Sequence, residues 1–113
     1  MLSAVSLFSG AGGMDVGSEQ AGINVLLANE IDPHAADTFS INHINTRMIV
    51  GDINLTLSEL EKYKGADIVF GGPPCQGFSV IGKMQEDDER SQLIWSFLKA
   101  VEIIRPRAFV MEN

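Results

Sequence analysis

Short apolar runs alternate with amphipathic stretches from one end of the chain to the other. Ala4-Val5-Ser6-Leu7-Phe8 is apolar and halts at glycine, which predicts a buried strand over 4–8. Gly10-Ala11-Gly12-Gly13 follows as a tight turn, and Met14 to Ala21 has helical spacing with Gly22 as its stop. A second strand is expected over Val25–Ala28, and then a helix from Pro33 to Asn42 with Asp32 as N-cap and Pro33 as its first residue. Arg47–Val50 reads as a third strand closed by Gly51-Asp52, and Leu55–Tyr63 as a short helix with Thr56 or Ser58 near its start. Ala66–Phe70 is a fourth strand, ended sharply by Gly71-Gly72-Pro73-Pro74 because consecutive prolines cannot continue a central ladder. Residues 75–90 read as a polar loop. Leu93, Leu98, Val101 and Ile104 mark a helix ended by Arg105-Pro106, and Ala108–Met111 is a fifth strand.

Continuous apolar strands alternating with helices imply an α/β fold, a mostly parallel sheet covered on both faces. In such sheets ligands bind beyond the carboxyl ends of the strands. Gly10–Gly13, Glu30, Asp52, Pro73–Cys75 and Glu112 all fall at predicted carboxyl ends, so the site is expected along that edge. Strands four and five should be neighbours, which brings Glu112 beside Cys75.

At 113 residues the chain has room for one domain with a real core. A 45% share of hydrophobic residues against 20% charged excludes a wholly disordered chain and a coiled coil. No apolar run approaches the roughly 18 residues of a membrane span, and the N-terminus has no basic leader. The single cysteine, Cys75, permits no internal disulfide and points to the cytoplasm. With two histidines beside it, no common structural zinc site can be built, and no metal is expected. The net charge of −7 argues against binding nucleic acid by phosphate contacts alone, which rest on Lys and Arg.

Gly10-x-Gly12-Gly13 departs from the dinucleotide fingerprint, because Asp15 stands where a small residue is required. An acid there opposes a pyrophosphate at a helix N-terminus. Glu30 follows Gly10 at the usual offset for a carboxylate gripping ribose hydroxyls, and Asp52 could accept from an adenine amino group. Together these favour an adenosine ligand without phosphate, such as S-adenosylmethionine. Taken singly, each has a plainer reading: a tight turn, a solvated acid or, for Asp52, a helix cap.

Cys75 sits on a stiff Pro73-Pro74 mount between glycines, and Glu112 closes the neighbouring strand. A cysteine beside a carboxylic acid is the pairing of a nucleophile with a general acid. No Lys, Arg or His adjoins Cys75 in sequence, so activation of its thiol has to come from spatial neighbours or substrate.

Three segments in order, Leu7-Phe8-Ser9-Gly10-Ala11-Gly12-Gly13, Gly71-Gly72-Pro73-Pro74-Cys75-Gln76-Gly77-Phe78-Ser79 and Met111-Glu112-Asn113, resemble the N-terminal part of cytosine-C5 DNA methyltransferases. The resemblance implies a Rossmann-like S-adenosylmethionine-dependent methyltransferase fold, truncated after about five strands. It implies that Cys75 adds to C6 of a flipped cytosine, that Glu112 contacts N3 and that Asn113 helps fix the active-site loop. By the same resemblance Phe8, Gly10, Gly12, Glu30, Ile31, Asp52, Ile53, Pro74 and Leu93 contact the cofactor. Gln76, Ser79, Lys83 and Arg90 belong to a loop that closes on double-stranded DNA. The expected partner is a C-terminal half, or a second subunit, carrying the target recognition domain. Self-association through the apolar fifth strand is a further expectation. A tRNA cytosine-C5 methyltransferase, from the tRNA-modifying branch of the same fold, and a non-catalytic cofactor-binding remnant or subunit are the alternatives.

Overall fold

The computed structural model describes residues 1–74 and 89–112, with the side chains of residues 89–91 left out. Among the described residues five strands and four helices alternate: β1 Ser3–Leu7, α1 Gly13–Gln20, β2 Asn24–Glu30, α2 Pro33–Asn42, β3 Arg47–Val50, α3 Ile53–Leu60, β4 Ile68–Gly71, α4 Glu89–Ile104 and β5 Ala108–Met111. A 3₁₀ turn, Glu61–Tyr63, prolongs α3. Every strand pairing is parallel, and the order is β3-β2-β1-β4-β5. The order reverses at β1, so the boundary between β1 and β4 is the switch point where such sheets open a crevice. No helix among the described residues is long and apolar enough to cross a membrane.

Alternation along β1 divides the core. Val5 and Leu7 pack with Leu27 and Val69 under α3 and α4, where Leu60, Phe97, Ala100 and Ile104 complete the larger cluster. Ala4, Val25 and Phe70 form a smaller cluster on the opposite face. On that face Ser6 reaches Asp15 of α1, and Ala36 and Phe39 of α2 are buried. Val25 and Leu27 serve opposite faces although they are two apart, because the β1–β2 register shifts between Ala4 and Val5 and leaves Leu26 unpaired. A bulge of this kind flips the faces beyond it. β5 is a sheet edge whose Phe109 and Val110 are half exposed. Phe109 tilts against Phe97 with ring centroids 6.1 Å apart.

Several boundaries differ from those expected. α3 starts at Ile53 rather than Leu55, because Asp52 caps it by accepting from the Asn54 amide at 2.8 Å. Thr56 turns its hydroxyl inwards onto the Ile53 carbonyl instead. α4 begins at Glu89, four residues before Leu93, so residues 89 and 90 are helical and not loop. β1 ends at Leu7, since Phe8 takes a left-handed conformation with φ 52. β4 starts at Ile68 rather than Ala66, and β2 runs on to Glu30.

Gly71 sits where β4 presses against β1. A Cβ there would overlap the Leu7 carbonyl, which is backbone and cannot swing aside. Gly71→Ala is therefore expected to destabilise the fold by about 3 kcal/mol. Urea unfolding would read this as a lowered midpoint, and an unchanged midpoint would contradict the close approach.

Candidate active site

Each turn at the carboxyl edge is held by its own sequence. After β1, left-handed Phe8 and Gly10 (φ 58) reverse the chain, and Gly12 (φ 98) starts α1. The turn is tied down by Ser9 N donating to the Asn29 carbonyl and Gly12 N to the Ser9 carbonyl, both at 3.1 Å. Gly12 has no room for a side chain, because a Cβ would lie 2.5 Å from Nε2 of buried His43 and 2.8 Å from the Phe39 ring. After β2, Asp32 caps α2 by accepting from His34 N. The Glu30 carboxylate spans both turns, Oε1 accepting from Gly10 N at 2.8 Å and Oε2 from Asp32 N at 2.9 Å. Asn29 Nδ2 donates to the carbonyls of Ile49 and Gly51, stapling β2 to the end of β3.

These turns enclose a cleft of about 100 Å³. Phe8, Ile31, Ile53, Pro74 and Leu93 give it apolar walls, and Glu30 and Asp52 add two acids. Seven of the nine residues expected to contact a cofactor meet here. Gly10 joins them through its bond to Glu30. Gly12 does not line the cleft. Its place is against His43 and Phe39, where it lets α1 pack on α2. Asn29 and Gly51 also line the cleft and were not singled out from the sequence, since neither carries a side chain that announces a ligand.

Phe8 also lines a second cavity of about 190 Å³ at the switch point, together with Met14, Asp15, Phe70, Gly72 and Glu112. Gly72 admits the Glu112 side chain, since a Cβ on Gly72 would lie 2.6 Å from Glu112 Oε2. The Glu112 amide donates to the Gly71 carbonyl at 2.8 Å, which fixes this acid beside the end of β4. Neither cavity is lined by Lys or Arg among the described residues. A larger cavity of about 270 Å³, lined by Met1, Asn24 and Val25, opens at the amino-terminal edge of the sheet, away from the strand-end acids. Cys75, Gln76, Ser79, Lys83 and Asn113 lie outside the described residues, as does the side chain of Arg90.

Asp15 is wholly buried beneath the turn. Its Oδ1 lies 3.0 Å from the Ser6 hydroxyl, and Oδ2 has no hydrogen-bond partner among the described residues. Burial pushes its carboxyl up from 3.8 to about 6, against the opposing pull of Ser6 and His43.

A parallel sheet with its acids and glycines gathered at the switch point is the architecture of Rossmann-like methyltransferases. The comparisons agree: the chain belongs to the C-5 cytosine-specific DNA methylase family, whose model matches residues 2–113. It is 41% identical to the type II methyltransferase M1.HphI of Haemophilus parahaemolyticus, covering 99% of this chain and 32% of that protein. It is 46% identical to the type II methyltransferase M.AquIA of Picosynechococcus sp., covering 96% of this chain and 47% of that one. Among solved structures, a DNA modification methyltransferase encoded within a prophage (E. coli) superposes with TM-score 0.83 at 36% identity, over all of this chain and 32% of its own. The S. pombe Dnmt2 methyltransferase superposes less closely, with TM-score 0.65 at 25% identity over 90% of this chain and 29% of its own. The chain thus spans between about a third and a half of the length of these relatives.

The buried acid generates a stability test. Below pH 3.8 Asp15 is protonated whether the chain is folded or not, and its charge costs nothing. As pH rises to about 6 the unfolded chain loses this proton while the folded one retains it, so stability falls. The cost reaches at most about 3 kcal/mol above that range. Asp15→Asn should raise stability at pH 7 by up to that amount and flatten the slope below pH 6. A variant less stable than wild type at pH 7 would refute the assignment.

Proposed function

We propose that this chain carries the cofactor-binding and nucleophile-bearing part of a DNA (cytosine-5)-methyltransferase of a restriction–modification type. The observation that carries the reading is the pair of adjoining cavities around Phe8. One combines apolar walls with two carboxylates, and the other holds Glu112 next to the start of the Pro73-Pro74-Cys75 segment. Type II methyltransferases among the relatives and the superposition on a DNA modification methyltransferase favour DNA over tRNA as substrate.

The first cavity suits an adenosine. Its apolar walls offer surface on which adenine can pack, and the Glu30 oxygens retain lone pairs for ribose hydroxyls beside their backbone donors. Open space above Gly10 lets a ligand approach the backbone. The acidic lining, without Lys or Arg among the described residues, tolerates a sulfonium and disfavours a phosphate. S-adenosylmethionine would supply an electrophilic methyl group there. Phe8, Ile31, Ile53, Pro74 and Leu93 would hold its adenosine part, with Glu30 on ribose and Asp52 near adenine.

Cytosine C5 is a weak nucleophile. In this reading the Cys75 thiolate forms a bond to C6, and the electron pair of the C5–C6 double bond becomes available at C5. Glu112 shares its proton with N3 and so offsets the charge that builds up in the ring. After C5 is methylated it loses its proton to a base, and the electrons returned to the ring expel Cys75 as thiolate. The target base has to leave the duplex, since C6 is inaccessible in the stack. With a net charge of −7, these 113 residues are poorly suited to hold DNA by phosphate contacts alone.

Two variants test the reading in the full protein. Cys75→Ala should abolish transfer of labelled methyl groups to DNA, and a 5-fluorocytosine duplex should trap wild type but not the variant as a covalent adduct. Adduct formation by the alanine variant, or transfer to tRNA instead of DNA, would overturn it. Gly72→Ala puts a methyl group against the Glu112 carboxylate, a movable side-chain end. It should cost no more than about 1 kcal/mol of stability while lowering methyl transfer about tenfold or more. Full activity in that variant would remove Glu112 from the mechanism.

A further inference from the structure

Beneath the glycine turn lies a polar chain, buried at Ser6 and Asp15, that the proposed chemistry does not use. Ser6 Oγ is 2.8 Å from Ser9 Oγ, and Ser6 Oγ is 3.0 Å from Asp15 Oδ1. Ser9 Oγ also donates to the Ser6 carbonyl at 3.2 Å. These are three contacts, and the two hydroxyls own two protons. With Asp15 ionised, Ser6 donates to the carboxylate, and the single Ser9 proton has to be divided between Ser6 Oγ and the Ser6 carbonyl. With Asp15 protonated, each contact has its own proton: Asp15 donates to Ser6, Ser6 to Ser9, and Ser9 to the Ser6 carbonyl.

We propose that Asp15 is a positioning residue for the cofactor turn, acting as a proton donor to Ser6 rather than as a charge. The turn it governs is the one that carries Gly10, and Ser9 within it is bonded to the Asn29 carbonyl at 3.1 Å, beside Glu30. The inference rests on the cofactor reading above for its effect on binding, and on geometry alone for the proton. The surroundings agree. The carboxyl is fully buried, and burial is the main influence on its proton affinity. Ser6 opposes protonation only by donating to the carboxylate, and a Ser6 hydroxyl turned towards Ser9 withdraws that opposition. The other charged or titratable groups facing this position are Glu19 one turn along α1, His43 after α2, which Glu19 holds at 2.8 Å, and Glu112 across the cavity.

Two measurements on the full protein decide the matter. Difference infrared spectra of wild type against Asp15→Asn, taken just below pH 6, should contain a protonated carboxyl band that the variant lacks. Absence of the band overturns the proposal, whether or not a cofactor binds. Calorimetry with S-adenosylhomocysteine should find binding weakened about tenfold in Asp15→Ala, a difference of about 1.4 kcal/mol. Asp15→Asn, whose amide can donate to Ser6 in the same way, should recover most of that loss. Wild-type affinity should weaken as pH rises through about 6, while the asparagine variant should not follow it. Ser6→Ala breaks the same chain at its middle, and takes the place of Asp15→Ala should that variant fail to fold. Equal affinity in the alanine and asparagine variants, or the same pH profile in wild type and Asp15→Asn, overturns the positioning role. No binding by wild type sinks the cofactor reading, and the infrared result then decides the proton alone.

Discussion

The Glu30 carboxylate accepts one backbone N–H from each of the two turns beside it, Gly10 at 2.8 Å and Asp32 at 2.9 Å, and the placement of those two turns relative to each other follows from that pair of bonds. Hydrogen bonds to an ionised acceptor are among the stronger ones a protein makes. Here they join the β1–α1 and β2–α2 connections, which sequence separates by 20 residues. Asn29, one residue earlier and pointing the other way, performs the matching task on β3 through the carbonyls of Ile49 and Gly51. Two adjacent side chains on β2 thereby hold three strand ends in register. The cleft walls inherit their spacing from that arrangement.

Glycine enters this edge for three separate physical reasons. Gly10 has a positive φ and open space above it, so it serves the turn and leaves a ligand room. Gly12 combines a positive φ with the ring of His43 against its Cα, so it serves helix packing. Gly71 and Gly72 have neighbours within contact range, the Leu7 backbone and the Glu112 carboxylate, and so permit β1, β4 and the end of β5 to converge. Phe8 divides the resulting space. It lines both the apolar, acid-flanked cleft and the cavity that holds Glu112.

The acidic edge is stable because its charges are spent on backbone donors. Asp32, Asp52 and Glu30 each accept from amides at the start of a helix or turn, where the unsatisfied N–H groups favour negative charge. Asp15 is the exception. It points into the protein from α1, its Oδ1 lies against the Ser6 hydroxyl, and burial raises its proton affinity.

The strand–helix order, the parallel sheet and the carboxyl-edge location of Glu30, Asp52 and Glu112 were legible in the sequence, because apolar runs, helical spacing and glycine stops are local signals. So were the neighbouring placement of β4 and β5 and the cap formed by Asp32. The α3 start was misread because Asp52 had two competing uses in sequence, ligand acid or cap, and only the Asn54 amide at 2.8 Å identifies the cap. The bulge at Leu26 left no mark, since Val25 and Leu27 are apolar whichever face they serve. The partner of Gly12 could not be read at all: His43 lies 31 positions away in the chain and reaches Gly12 only once α1 and α2 lie together. Sequence alone determined which side chains stand at the carboxyl ends of the strands, because side-chain type and local spacing are written in it. The tertiary structure decided which of those groups meet, because contact between distant residues depends on how the sheet stacks and twists rather than on any neighbouring residue.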